Sequence, residues 1–229
     1  MLVTGATGKQ GGATVRQLLR SGAKVRALTR KPNGVRAHKL ADLGCEVVQG
    51  DLNDPVSLDK AMNDVYGLFL TTNFWELGTG KKEVIQCKNV TDVARAHQVQ
   101  HLVLASIARC DDNPGLPNFV SKYESEQLVK ASGIPFTFLR AVYFMDNLIP
   151  GEERSTFHWG ILPRKLGTTT TLQMISTEDV GWFAANALRH PDQWIGRTID
   201  IAGDEVTYPQ LLETYIRVMG DKPRQSSYA

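Results

Sequence analysis

Near the N-terminus, Gly5-Ala6-Thr7-Gly8-Lys9-Gln10-Gly11 places a glycine at every third position. A turn of this composition does chemistry through its backbone. The first glycine permits a tight reversal, and the second lets a phosphorylated ligand approach the main chain. The third lets a helix pack against the preceding strand. N–H groups at the start of that helix, with the positive end of its dipole, can then hold phosphates. The flanks agree: Met1-Leu2-Val3-Thr4 is a short apolar run, and Val15, Leu18 and Leu19 recur at helical spacing up to Ser21-Gly22. A glycine triplet in this setting points to a dinucleotide pyrophosphate, with Thr7, Lys9 and Gln10 in the same turn.

The end of the second strand selects the ribose. An acid there would accept from a free 2′-hydroxyl, whereas this chain has Thr29-Arg30-Lys31. Arg30 can bind a 2′-phosphate bidentately, with Lys31 and Lys9 adding positive charge, so the expected cofactor is NADP(H). Asp51 and Leu52, after the third strand, are expected at the adenine edge; the bland alternative for Asp51 is a cap on the turn before Pro55. Thr71, Thr72 and Asn73 follow the fourth strand, where ribose and diphosphate cross strand ends. Their alternative is an ordinary turn.

These groups need a scaffold, and the chain supplies one. Strand patterns over 23–29, 46–49, 67–72, 102–106 and 136–140 alternate with helical patterns over 35–43, 57–62, 81–97 and 118–132. That alternation predicts an α/β fold, a doubly wound parallel sheet of Rossmann type. Residues 1–147 read as the binding domain. Residues 148–229 read as a small, interleaved C-terminal lobe. Within it, 148–175 shows little periodicity, 177–188 and 208–219 read as helices, 198–202 as a strand and 222–229 as a loose tail. Ser176 or Thr177 would cap the helix at 177. The first strand reads as clipped, as though both ends were incomplete.

A net charge of +2 gives no reason to expect direct nucleic-acid or membrane binding. Cys45, Cys87 and Cys110 are scattered, form no metal-ligand spacing and fit a reducing compartment, cytoplasmic with nuclear access. Asn89-Val90-Thr91 matches a glycosylation sequon and reads as chance. No nucleophile elbow, HExxH helix or P-loop is present. The five histidines read as structural, and His97 and His101 have no acidic neighbour in sequence.

The glycine turn, Gly50-Asp51, Phe138-Leu139-Arg140 with Tyr143-Phe144 and Asn147, and Ile175–Gly181 together resemble the NmrA-like family of atypical short-chain dehydrogenase/reductases. Thr72-Asn73-Phe74-Trp75-Glu76 resembles its redox-sensor branch in particular. The resemblance covers nearly the whole chain. It implies NADP preference, a smaller lobe forming a cleft, and a divided set of activities: some relatives reduce substrates with NADPH, others regulate protein partners.

Short-chain dehydrogenases place Tyr-x-x-x-Lys on one helix face, the Tyr moving the proton and the Lys holding the nicotinamide ribose. Here Asn118 occupies the Tyr position and Lys122 is retained. Asn has no usable acidic proton, and Tyr123 points about 100° away. Lys122 is thus the one candidate catalytic residue, a ribose ligand or, as isoflavone-reductase-like relatives imply, a proton donor. Its alternative is a surface lysine paired with Glu126. Ser106 is a further cofactor candidate, with a cap as its alternative. Trp75, Tyr143, Phe144 and Trp159 are aromatic candidates for a substrate cleft, with Tyr143 and Phe144 also placed near the cofactor. The expected function is an NADP(H)-binding, redox-sensing module acting on a protein partner. The alternative is an NADPH-dependent reductase of a small carbonyl or enone using Lys122.

Overall fold

The computed structural model describes residues 1–112, 115–151 and 155–225. In chain order its elements are β1 (Leu2–Val3), α1 (Lys9–Arg20), β2 (Arg26–Thr29), α2 (Val35–Asp42), β3 (Glu46–Gln49), α3 (Pro55–Met62), β4 (Gly67–Leu70), α4 (Phe74–Leu77) and α5 (Gly80–Ala96). They continue with β5 (His101–Ile107), α6 (Pro117–Ser132), β6 (Phe136–Ala141), β7 (Tyr143–Phe144), α7 (Ser155–Leu166) and β8 (Thr171–Ile175). The series closes with α8 (Thr177–Arg189), α9 (Pro191–Trp194), β9 (Thr198–Ile201), β10 (Asp204–Thr207) and α10 (Tyr208–Met219).

One compact unit comprises Met1–Ala141 and Glu178–Asp200, the other Val142–Thr177 and Ile201–Ala229. The break expected after Asn147 falls earlier, at Ala141. In the first unit the sheet order is β3-β2-β1-β4-β5-β6-β9, and β1 to β6 are joined by parallel pairings. The chain steps outward from β1 to β3, then returns to the other side of β1 with β4. That reversal makes the carboxyl ends of β1 and β4 the switch point, where ligands of open α/β sheets bind.

The middle of the sheet is apolar over Leu68–Leu70 and Leu102–Ala105 because helices cover both faces. Leu68, Phe69, Leu70, Leu102, Val103 and Leu104 are fully buried. One side of the sheet packs Leu2, Leu68, Leu70, Leu102 and Leu104 against Met62, Val90, Ala94 and Val129. Each such leucine contributes about 1.5–3 kcal/mol by leaving water. Elsewhere in this unit α1 meets α8 backbone to backbone. A Cβ on Gly181 would lie 2.5 Å from the Ala13 carbonyl carbon.

The second unit has a three-stranded sheet, β10-β8-β7, with β10 antiparallel and β7 parallel to β8. Trp159, Leu148, Leu162 and Met174 form its core with Tyr208, Leu211 and Tyr215. Trp159 is therefore a core residue, and its indole N–H donates to the Leu148 carbonyl at 3.0 Å. The stretch 148–175, which showed little periodicity, holds α7 and β8. Pro163 inside α7 and the threonine run before β8 obscure both patterns. The α8 start is capped from a distance: the Asp146 carboxylate accepts from both the N–H and the hydroxyl of Thr177, at 2.8 and 2.5 Å. Of the expected tail, 226–229 lie outside the described residues. Among the described residues, no helix is long and apolar enough to cross a membrane.

Candidate functional site

The glycine turn leaves the end of β1 as its sequence requires. Gly5 has φ +56°, a conformation that side chains disfavour, and a Cβ there would meet the Thr71 methyl at 2.7 Å. Gly8 donates its N–H to the Gly5 carbonyl at 2.8 Å, closing the turn. At Gly11 a Cβ would sit 2.2 Å from the Gly5 oxygen, so only hydrogen fits between α1 and the turn. The N-terminus of α1 has no side-chain cap and no acidic residue in its first turn. Its N–H groups and dipole thus favour an anion. Thr7 and Gln10 are half-buried, and Gly8 and Lys9 are exposed.

Two threonines join this turn to the end of β4. The Thr4 hydroxyl donates to the Thr71 carbonyl at 3.0 Å and accepts the Thr71 N–H at 2.8 Å. Next along the chain, the Thr72 hydroxyl donates to the Glu83 carboxylate at 2.7 Å and accepts from the Lys122 ammonium at 2.8 Å. Lys122 also pairs with Glu83 at 2.8 Å, and the Ser121 hydroxyl donates to the other Glu83 oxygen at 2.6 Å. Glu83 is wholly buried and Lys122 is 7% exposed. Burial alone would raise the Glu83 pKa; the Lys122 charge and hydrogen bonds from Lys122, Ser121 and Thr72 outweigh it and hold the carboxyl below its ordinary range.

The surface pairing of Lys122 with Glu126 is therefore incorrect. Glu126, also wholly buried, faces Arg140, which donates from Nε and Nη2 at 2.9 and 2.8 Å. Arg140 Nη1 reaches Asp111 at 2.7 Å. Ser106 lies here, donating to Glu126 at 2.7 Å, so its hydroxyl is turned to this cluster and is not a helix or loop cap. The Cys110 thiol adjoins both, and burial pushes it up to about 11.

At the adenosine end, Arg30 is exposed and donates to the Glu76 carboxylate at 2.5 Å. Glu76 belongs to α4, whose first turn is capped by the Asn73 side chain and which ends at Gly78, φ +71°. Lys31 is exposed; its backbone N–H donates to the Thr29 hydroxyl at 3.2 Å. The Asp51 carboxylate accepts from the N–H and side chain of Asn53, both at 2.9 Å, forming a turn, while Asp54 caps α3. Leu52 packs against the core and its carbonyl accepts from Asn89 at 3.0 Å. In the sequon, Val90 and Thr91 are buried in α5.

Gly5, Thr71, Thr72 and Lys122 are thus linked in one run, and Arg30 and Asn73 both contact Glu76. Asp51 and Leu52 contact α3 and α5 residues instead, and Ser106 joins the Arg140 cluster. Tyr143 and Phe144 lie in the second unit, half-buried. There the Tyr143 hydroxyl meets His158 Nδ1 at 2.5 Å, and burial raises its pKa well above the ordinary phenol value. His97 does have an acidic partner, Asp59 at 2.8 Å, brought by the packing of α3 on α5. Trp75 is exposed. Among the described residues, no group of three or more His, Cys, Asp or Glu could hold a metal.

The settings of Glu76, Glu83 and Glu126 were not read from sequence, where Glu126 stood only as a surface partner of Lys122 and Glu76 only within a family-like run. For two of them a signal existed. Glu83 shares a helix face with buried Cys87, Val90 and Ala94, and Glu126 shares one with Val129. A carboxylate on an apolar face requires a buried cation.

The NmrA-like family model matches residues 1–227. The (4-alkanoyl-5-oxo-2,5-dihydrofuran-3-yl)methyl phosphate reductase of Streptomyces griseus is 31% identical over 226 residues, spanning 96% of this chain and 74% of that protein. Citrobacter sp. triphenylmethane reductase complexed with NADP(H) superposes with a TM-score of 0.80 at 23% identity, covering 100% of this chain and 79% of its own. Nmra, a negative transcriptional regulator in complex with NAD, gives 0.81 at 20% identity, covering 98% and 73%. The two solved structures share the fold of this chain.

Proposed function

From the premise that the chain belongs to the NmrA-like family, we propose that it binds NADP(H) and acts as a redox-responsive module whose occupancy sets its affinity for a protein partner. The observation that carries the reading is the glycine turn: a cradle in which a Cβ on Gly11 would overlap backbone at 2.2 Å, opening onto an uncapped helix N-terminus. Arg30, after β2, would take the 2′-phosphate with Lys31 and Lys9 nearby. Thr71, Thr72 and Asn73 would face the ribose and diphosphate, with Asp51 and Leu52 toward adenine. Lys122 would hold the nicotinamide ribose. The relatives' complexes with NADP(H) and NAD support the same reading.

Asn118 favours sensing over turnover. It stands where an enzyme of this type keeps its proton-transferring tyrosine, and its amide cannot substitute. A sensor requires that cofactor bind two conformations with different affinity. The second reading is reduction of a small carbonyl or enone, supported by the reductase relative. Bound NADPH would supply the hydride. Lys122 spends two N–H groups on Glu83 and Thr72, and the third would meet substrate or ribose.

Titration of the chain and Arg30→Ala with NADPH, NADP+, NADH and NAD+ tests this. Tighter binding of the phosphorylated pair, weakened about tenfold or more by Arg30→Ala, is expected. Partner affinity that differs between NADPH and NADP+ supports sensing; identical partner affinities sink it. Turnover in a substrate screen that Lys122→Ala abolishes would establish the reductase. Failure to bind any of the four overturns the cofactor assignment.

A further inference from the structure

The strand that should carry the ribose-reading acid has none, yet an acid is present in space. Glu76, from α4, holds the Arg30 guanidinium at 2.5 Å. In the sheet, β2 and β4 flank β1. Arg30 is the first residue after β2, and α4 follows β4 after three intervening residues. The pair thus joins the carboxyl ends of the two strands on either side of β1, whose own end is the glycine turn. A dinucleotide on that turn has its adenosine half beside β2, where Arg30 is already occupied.

Resting on the NADP(H) reading above, we infer that Glu76 is a specificity-determining residue that competes with the cofactor's 2′-phosphate for Arg30. Two properties suit it to this. Both side chains are about half exposed, so their ion pair is weak and water receives either partner when it opens. A phosphate dianion offers Arg30 a stronger, bidentate partner. A 2′-hydroxyl offers no such exchange, yet it can donate to the Glu76 carboxylate. The pair therefore taxes the phosphorylated ligand and spares the unphosphorylated one. Glu76 narrows a preference that Arg30 alone would make steeper.

The probes are adenosine 2′,5′-bisphosphate and 5′-AMP, which carry the discriminating group and lack nicotinamide. Calorimetry on the intact chain gives their affinity ratio for wild type, Glu76→Gln, Arg30→Ala and the double variant. The changes are at exposed positions, where substitution should leave the fold intact. Glu76→Gln should raise the bisphosphate preference about two- to fivefold, chiefly by tightening the bisphosphate. Arg30→Ala should erase the preference, and the double variant should match Arg30→Ala, because Glu76 acts through Arg30. A ratio unmoved or lowered by Glu76→Gln overturns the selector while leaving the cofactor reading intact. So does a gain that persists in the Arg30→Ala background. Wild type that binds neither probe overturns the cofactor reading and the selector with it.

Discussion

Two carboxylates, Glu83 on α5 and Glu126 on α6, are each wholly buried, and each accepts from one serine and one cation. They differ in the cation. All three nitrogens of Arg140 are engaged: two grip Glu126 and the third holds Asp111. Arg140 cannot shed its charge at any accessible pH. Lys122 is a point charge on one nitrogen, shared between Glu83 and the Thr72 hydroxyl at the end of β4. A closed knot of this kind fixes β5, β6 and α6 together. An open one holds a charge beside the switch point. The contrast separates a joint from a tool better than burial does, since burial is the same in both.

The largest test of that contrast is Glu126→Gln. It leaves a buried guanidinium without its principal counter-ion and should cost about 3–5 kcal/mol in urea denaturation. Next comes a ring with one nitrogen partnered, Nε2 by the Thr137 hydroxyl at 2.8 Å. His101 is fully buried with Nδ1 unpartnered among the described residues, and burial lowers its pKa to about 4. The unfolded chain, near 6.5, takes up the proton first, so stability should fall by about 3 kcal/mol as pH drops from 6.5 to 4. His101→Asn should flatten that part of the curve.

Glu83→Gln should cost less than Glu126→Gln, about 1–3 kcal/mol, because Lys122 keeps its bond to the Thr72 hydroxyl. Pairing it with Lys122→Met should restore most of the loss. If Glu83→Gln proved as costly as Glu126→Gln, the distinction between open and closed knots would collapse. The same variant should also remove acid sensitivity. The folded pKa of Glu83 is depressed, so its contribution is present above the ordinary carboxylate value and lost as pH falls through the lower folded one. Smallest of all, Ser106→Ala and Ser121→Ala should each cost about 1 kcal/mol, in denaturation midpoints alike for the two knots.

What was legible beforehand was local. The strand Glu46–Gln49 and the helix Tyr208–Met219 coincide with their sequence patterns because turn glycine, cap and periodicity mark their ends. The glycine turn was legible for the same reason: three hydrogens at fixed spacing are a local requirement. The setting of Lys122 was not, since Glu83 and Thr72 reach it only through the packing of α5 on α6 and the ending of β4. The pairing of Arg30 with Glu76 was hidden likewise, by a four-residue helix too short to show periodicity. In the second unit, α7 was masked by Pro163, although its Trp159 anchors the core.

The thiols of this chain carry a practical consequence. Cys45, Cys87 and Cys110 are all buried, and burial raises the pKa of each, Cys110 to about 11. Near pH 7 only about one Cys110 in ten thousand is thiolate, the form that alkylating reagents attack. The native molecule should thus react only slowly with maleimides. A single cysteine introduced at exposed Trp75 would be labelled nearly alone, and its dye would sit one residue from Glu76. Slow modification of the three native thiols would in turn report excursions of the core itself, a clock already written into the chain.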